Sequence, residues 1–346
     1  MYKKGKIKVL IVEDSMVFRE VLRIGLTSDT SIEVIGIATD AYMARDKIIE
    51  FQPDVMTLDV ELPKMNGIEF LKRLMPQYPI PVIVVSAVTE KVFEALSAGA
   101  VDFVSKPANR TGIESFINEL IVKIKIASIS KVGYLKTSEY TIPNNKVQPF
   151  KSRINIIAIG ASTGGTEALE EVLMNLPREI PGIVIVQHMP PIFTKMYAQR
   201  LNNNCMIEVK EAESGDKILP GRALIAPGGK HMKIVKDINE NSYSVYCFED
   251  EKVNGHCPSV DVLFYSVAEY CGGKALGVIL TGMGHDGASG LLNMRKKGDK
   301  TLGQDEASCI VYGMPKVAYE IGAVEKQVAL KDFPREILKI LKEAEL

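Results

Sequence analysis

The feature that most constrains this chain is an alternation of short apolar runs and amphipathic stretches that it goes through twice. In the first half the runs are Ile7 to Val12, Glu33 to Ala38, Val55 to Leu58, Val82 to Val85 and Val101 to Ser105. Each is the length of a buried strand. Between them lie stretches such as Phe18 to Leu26 and Ile68 to Leu74, whose apolar residues recur at helical spacing. An apolar strand must be covered on both faces, so the pattern predicts a five-fold βα unit with a parallel sheet between helices. A final helix is expected over about 112–128. From there the periodicity fades into Lys, Ser, Thr, Asn and Pro, as in Thr141-Ile142-Pro143-Asn144-Asn145, which cannot bury enough apolar surface to pack. The alternation restarts at Ile154 to Ile159, Ile183 to Val186 and Ala275 to Leu280. The layout expected is one domain over 1–128, a linker over 129–152 and a second, doubly wound parallel α/β domain over 153–346. In the second domain Met232 to Val235 and Tyr243 to Phe248 flank Asn239-Glu240-Asn241 and predict an antiparallel hairpin. A length of 346 residues fits two cores better than one.

Composition excludes some function classes. The net charge of -1 leaves no basic excess to neutralise phosphates, which argues against a nucleic-acid partner. The five cysteines are scattered, absent from the first half and form no C-x-x-C pair, as expected of a reducing compartment. The basic stretch Met1 to Lys8 leads into an apolar run that ends at Glu13, too short for a signal peptide or a membrane span. A cytoplasmic protein without membrane insertion is expected.

Two constellations carry chemistry. In an open parallel sheet the polar crevice lies beyond the carboxyl ends of the strands. There the first half places Glu13 and Asp14, then Asp59, then Ser86, then Lys106 before Pro107. Converging carboxylates call for a hard divalent cation such as Mg²⁺, which can also take a phosphoryl group. Asp59 would be the nucleophile, with Ser86 and Lys106 donating to the phosphoryl oxygens. Any one acidic residue at a strand end could be a loop residue or a helix cap; the set is harder to explain that way.

In the second half Ile154 to Ile159 runs into Gly160-Ala161-Ser162-Thr163-Gly164-Gly165, a G-x-S-x-G turn that would project the Ser162 hydroxyl. A Gly-rich turn after a strand is also how dinucleotide folds begin. The next strand, however, ends in Gln187-His188-Met189-Pro190 rather than in the acid that would hold a ribose, and His188 is the base a serine needs. A third strand leads into Thr281-Gly282-Met283-Gly284-His285-Asp286-Gly287, where Asp286 could hold the imidazole. His231, His256 and His285 are competing bases, and Asp261 is expected to cap a helix.

The first half resembles the receiver domain of two-component response regulators in Val12-Glu13-Asp14-Ser15, in Leu58 to Gly67 and in Val104-Ser105-Lys106-Pro107. That resemblance implies a flavodoxin-like (βα)5 fold phosphorylated on Asp59. It also implies Mg²⁺ held by Asp14, Asp59 and the backbone carbonyl of Glu61; Glu13 stands where many receivers have Asp. The whole chain resembles the chemotaxis response-regulator protein-glutamate methylesterases (CheB). The resemblance rests on the Ser162 turn, Gln187 to Pro190, Ala226 to His231, Pro258 to Phe264 and Thr281 to Gly287, with Cys257 where the family often has Arg. It implies hydrolysis of glutamate γ-methyl esters on chemoreceptors, deamidation of glutamines and a chemotaxis histidine kinase as phosphodonor. It also points to the backbone N–H groups of Thr163 and Met283 as an oxyanion hole, with no cofactor in the hydrolase site. A DNA-binding response regulator and a scaffold with a degenerate hydrolase fold are the rival readings.

Overall fold

The computed structural model describes residues 5–87, 90–132, 152–237, 239 and 242–345. Two compact units, Met1–Lys136 and Thr137–Leu346, divide the chain. Most of the expected linker lies outside the described residues, as do Glu240 and Asn241 of the expected turn.

The first unit contains β1 (Ile7–Val12), β2 (Ile32–Ala38), β3 (Val55–Asp59), β4 (Val82–Ser86) and β5 (Asp102–Ser105). They form one sheet in the order β2-β1-β3-β4-β5, and every pairing is parallel. Strands such as β3, with all five residues buried, require cover on both faces. The cover comes from α1 (Met16–Thr27), α2 (Ala41–Phe51), α3 (Gly67–Leu74), α4 (Glu90–Ser97) and α5 (Ile113–Ala127). Local chemistry sets the helix starts: Ser15, Asp40 and Asn66 each accept a backbone N–H of the following first turn.

The second unit holds β6 (Ile156–Ala161), β7 (Gly182–Gln187), β8 (Glu208–Glu211), β9 (Arg222–Ile225), β10 (His231–Asp237) and β11 (Ser242–Phe248). After them come β12 (Ala275–Ile279), β13 (Lys300–Gln304) and β14 (Lys326–Val328). Seven of these build a parallel sheet in the order β14-β13-β12-β6-β7-β9-β8. The strands expected to carry Ser162, His188 and Asp286 are therefore its three central neighbours. β10 and β11 form the antiparallel hairpin, from His231↔Phe248 to Asp237↔Ser242. The helices are α6 (Gly165–Met174), α7 (Phe193–Asn204), α8 (Val260–Cys271), α9 (Ala288–Lys296), α10 (Met314–Glu320) and α11 (Phe333–Glu343). Helix α8 lies in the core, where Val260, Leu263, Phe264 and Val267 pack with Met232, Ile234 and Val245 of the hairpin. The Ser266 hydroxyl of α8 accepts the Ile234 N–H at 3.0 Å and fixes the hairpin's height on the helix.

Candidate functional site

In the first unit the strand ends bring Glu13, Asp14 and Asp59 together, with one carboxylate oxygen from each within 4.8 Å of the others. Glu13 and Asp59 are buried and Asp14 is exposed. Lys106 Nζ stands 2.6 Å from Asp59 Oδ2 and 2.8 Å from Glu13 Oε2. One ammonium thus serves two buried carboxylates. Burial lifts the Glu13 pKa, with Asp59 adding to the rise and Lys106 opposing it. Burial would lower the Lys106 pKa, but its bonds to Asp59 and Glu13 outweigh this and raise it. Glu61 follows on the loop after β3, its N–H donating to Asp59 Oδ1 at 3.1 Å. Ser86 is buried at the end of β4, beside Ser105 in the register. A set of hard oxygens carrying more negative than positive charge suits Mg²⁺. Glu13, outside the expected ligand set, is part of the cluster through its contact with Lys106.

In the second unit Ser162 and His188 directly follow the paired residues Ala161 and Gln187 of adjacent strands. The His188 N–H donates to the Ala161 carbonyl at 3.1 Å, and Gln187 Nε2 to the Ser162 carbonyl at 2.9 Å. From the other side the Ser162 N–H donates to the Thr281 carbonyl at 3.0 Å, so the serine turn is held between the loops that carry His188 and Asp286. The sharp turn needs glycine at two points. Gly164 has φ +75°, and a Cβ on Gly165 would come within 2.2 Å of Gln187 Oε1.

Asp286 is 1% exposed and its Oδ2 lies 2.8 Å from His188 Nε2. The same carboxylate accepts from Ser259 Oγ (2.7 Å), Val260 N (2.7 Å), Asp261 N (3.2 Å) and Asn254 Nδ2 (2.9 Å). Burial alone would raise its pKa, but the bond and charge of His188, with Asn254 and Ser259, hold it well below the usual carboxylate range. The anion therefore orients His188 and also caps the start of α8, whose first N–H groups point at it. Asp261, expected as that cap, instead accepts the Gly290 N–H at 2.6 Å and Asn254 Nδ2 at 2.7 Å. With Nε2 against Asp286, the other ring nitrogen, Nδ1, is buried and has no hydrogen-bond partner among the described residues.

The competing histidines are accounted for. His231 is buried, Nε2 against the Glu251 carbonyl at 2.9 Å and Nδ1 accepting the Ser259 N–H at 3.2 Å. His285 is exposed. His256 stacks on His188, ring centroids 3.7 Å apart and planes 8° from parallel. The roles of Asn254 and Ser259 went unread in the sequence, although Asn254-Gly255 is a tight-turn signature that could have drawn attention to the loop.

The CheB methylesterase family model matches residues 157–337, and the response regulator receiver domain model matches residues 9–118. The chain is 56% identical over 338 residues to the protein-glutamate methylesterase/protein-glutamine glutaminase 2 of Syntrophomonas wolfei, covering 97% of this chain and 98% of that one. It is 51% identical over 349 residues to the protein-glutamate methylesterase/protein-glutamine glutaminase of Syntrophotalea carbinolica, covering 98% of each. Among solved structures, the Thermotoga maritima CheB methylesterase catalytic domain aligns at a TM-score of 0.52 and 36% identity, covering 54% of this chain and 98% of that one.

Proposed function

The chain belongs to the CheB methylesterase family, and we propose that Ser162, His188 and Asp286 are the residues with which it hydrolyses glutamate γ-methyl esters. It is a protein-glutamate methylesterase under the control of a response-regulator receiver. The observation that carries the site assignment is the Nδ1 of His188, without a partner among the described residues, opposite the nitrogen that Asp286 holds and one residue past a strand paired with the serine's own.

His188 Nδ1 takes the proton as Ser162 Oγ attacks the ester carbonyl carbon, and the charge that develops on the carbonyl oxygen falls to the backbone N–H groups of Thr163 and Met283. Collapse of the tetrahedral adduct breaks the bond to the methoxy oxygen, His188 returns the proton, and methanol leaves a glutamyl ester on Ser162. Water then attacks, with His188 again the base, and frees the glutamate carboxylate. With a glutamine side chain the same steps release ammonia, which accounts for a glutaminase activity. Asp286 stays ionised throughout and stabilises the imidazolium.

In the receiver, Asp59 accepts the phosphoryl group, and Ser86 and Lys106 hold its oxygens. Asp14, Asp59 and the Glu61 carbonyl are the groups that would hold Mg²⁺, whose charge offsets that of the phosphoryl oxygens. The phosphodonor is a chemotaxis histidine kinase and the substrates are methyl-accepting receptors, met in the cytoplasm. No helix among the described residues is long and apolar enough to cross a membrane. We assign 1–128 to the receiver, 129–152 to a linker and 153–346 to the hydrolase. Methanol release from methylated receptor tests the reading: Ser162→Ala should retain less than about a hundredth of the wild-type rate. A Ser162→Ala protein that keeps more than that excludes Ser162 as the nucleophile.

A further inference from the structure

The loop before α8 makes one tight turn, in which the Val253 and His256 N–H groups each donate to the other residue's carbonyl at 3.0 Å. Its two central residues, Asn254 and Gly255, have φ of +53° and +82°, the conformation of a two-residue type I′ turn. Such a turn is short and stiff. It delivers two side chains to the same place. Asn254 Nδ2 spans Asp286 Oδ1 at 2.9 Å and Asp261 Oδ2 at 2.7 Å, which fastens the turn to the carboxylate. His256 lies flat on His188 at a centroid separation of 3.7 Å.

We propose that His256 is a positioning residue for the hydrolysis: its ring, pinned by the Asn254-Gly255 turn to the face of His188, favours the imidazolium formed in the transition state over the neutral imidazole of the resting enzyme. The proposal rests on the reading of His188 as the base. Two neutral rings stacked nearly face to face set the negative faces of their quadrupoles together, an arrangement that aromatic pairs avoid in favour of offset or edge-on contacts. A cation over such a face is attracted to it. Protonating His188 therefore turns a poor contact into a good one, and a contact that improves only in the transition state raises kcat rather than lowering KM.

The device works only if one ring of the pair carries charge. Burial, then the charge of His188, push the His256 pKa down to about 4, against the opposing pull of Asp286. Lys252 and His285 also face His256 and act in the same direction as His188. His256 thus stays neutral across the working range and does not compete for the serine proton. The stack also covers one face of the His188 ring and, with Asp286 on Nε2, restrains the ring from rotating.

The test is methanol release from methylated receptor by the full chain, with active serines counted by a fluorophosphonate probe so that kcat is read per competent site. His256→Ala and His256→Asn, which remove the ring, should lose roughly tenfold in kcat per labelled serine with KM within about twofold of wild type. His256→Phe, which keeps a π face and has no titrating nitrogen, should remain within about threefold of wild type. A purely structural role would lower the number of labelled serines and leave the turnover of each unchanged. Wild-type kcat per labelled serine in His256→Ala and His256→Asn, or a His256→Phe enzyme as slow as either, overturns the proposal. Full activity in Ser162→Ala, measured alongside, would instead remove the serine reading on which the proposal rests.

Discussion

Replacing Asp286 by Asn keeps the side chain's shape and takes away one acceptor, and the structure says what that does. Oδ2 receives His188 Nε2 and Val260 N; Oδ1 receives Asn254 Nδ2, Ser259 Oγ and Asp261 N. The Ser259 hydroxyl can reverse and accept, and so can His188 Nε2 if the ring takes its other tautomer. If the new amide group sits at the Oδ2 position it faces two N–H donors, and at the Oδ1 position it faces the Asn254 amide and the Asp261 N–H. The first orientation leaves the Val260 N–H without an acceptor and the second leaves the Asn254 amide and the Asp261 N–H, so at least one donor in a site 1% exposed loses its partner. At about 1.5–3 kcal/mol for each bond to a charged acceptor, the loss is at least about 1.5 kcal/mol. For a unit of this size that is a fall in Tm of at least about 3 °C. Activity should fall by about 10⁴-fold, because a neutral partner favours the wrong tautomer of His188. Calorimetry of the full chain beside the methanol assay reads both quantities, with Ser162→Ala as the variant that loses activity and keeps its Tm within about 2 °C. An Asp286→Asn protein that melts like wild type refutes the reasoning, since Asp286 would then be no anchor for α8.

Three further outcomes follow from other parts of the molecule. Burial raises the Asp299 carboxyl from 3.8 to about 6 against the backbone N–H groups it accepts, so the native state binds this proton more tightly than the unfolded chain. Its contribution to stability is present below pH 3.8 and is lost as the pH rises through about 6, a change of about 3 kcal/mol at most, and Asp299→Asn should remove that slope from stability measured by denaturant against pH. An unchanged slope contradicts the assignment. A small-molecule phosphodonor with Mg²⁺ should raise the esterase rate of the wild type and leave Asp59→Asn unmoved, and an Asp59→Asn enzyme that still responds places the acceptor elsewhere. A Cβ on Gly282 would fall 2.4 Å from Met314 Sδ and 2.7 Å from Ser162 Cβ, so Gly282→Ala should shift the serine turn and cost at least about tenfold in kcat for about 1–3 kcal/mol of stability. Unaltered kcat in that variant would show that the loop yields without moving Ser162.

How much of this the sequence revealed depends on how local each feature is. β3 and β4 of the first unit and β6, β7 and β12 of the second are buried along their length, as is β1 over its last four residues, and fully buried strands write themselves as apolar runs. β8 (Glu-Val-Lys-Glu) and β14 (Lys-Gln-Val) lie at the sheet's two edges, where exposed polar residues erase that pattern, and neither was read. β13 went unread too: Lys300, Gly303 and Gln304 interrupt its apolar run although most of the strand is buried. Ser162, His188 and Asp286 were legible because each ends a recognisable strand or opens a Gly-rich loop. The support around them was not. Asp261 begins an amphipathic helix and so looked like its cap, yet the α8 N–H groups turn to Asp286, brought in from 25 residues downstream. Glu13 could be placed at a strand end, but not its shared ammonium on Lys106, which depends on β5 reaching the same edge. His256 appeared as one of several histidines. Its stacking on His188 is set by a turn whose orientation only tertiary packing fixes.

The central claim is that the ester's acyl group passes through Ser162. Rapid acid quench of the enzyme turning over methylated receptor peptide, followed by digestion and mass spectrometry, observes that intermediate itself. The account predicts a glutamyl peptide linked to the fragment carrying Ser162, formed in the wild type and absent in Ser162→Ala. An adduct on another residue, or the same adduct persisting without the Ser162 hydroxyl, would contradict it.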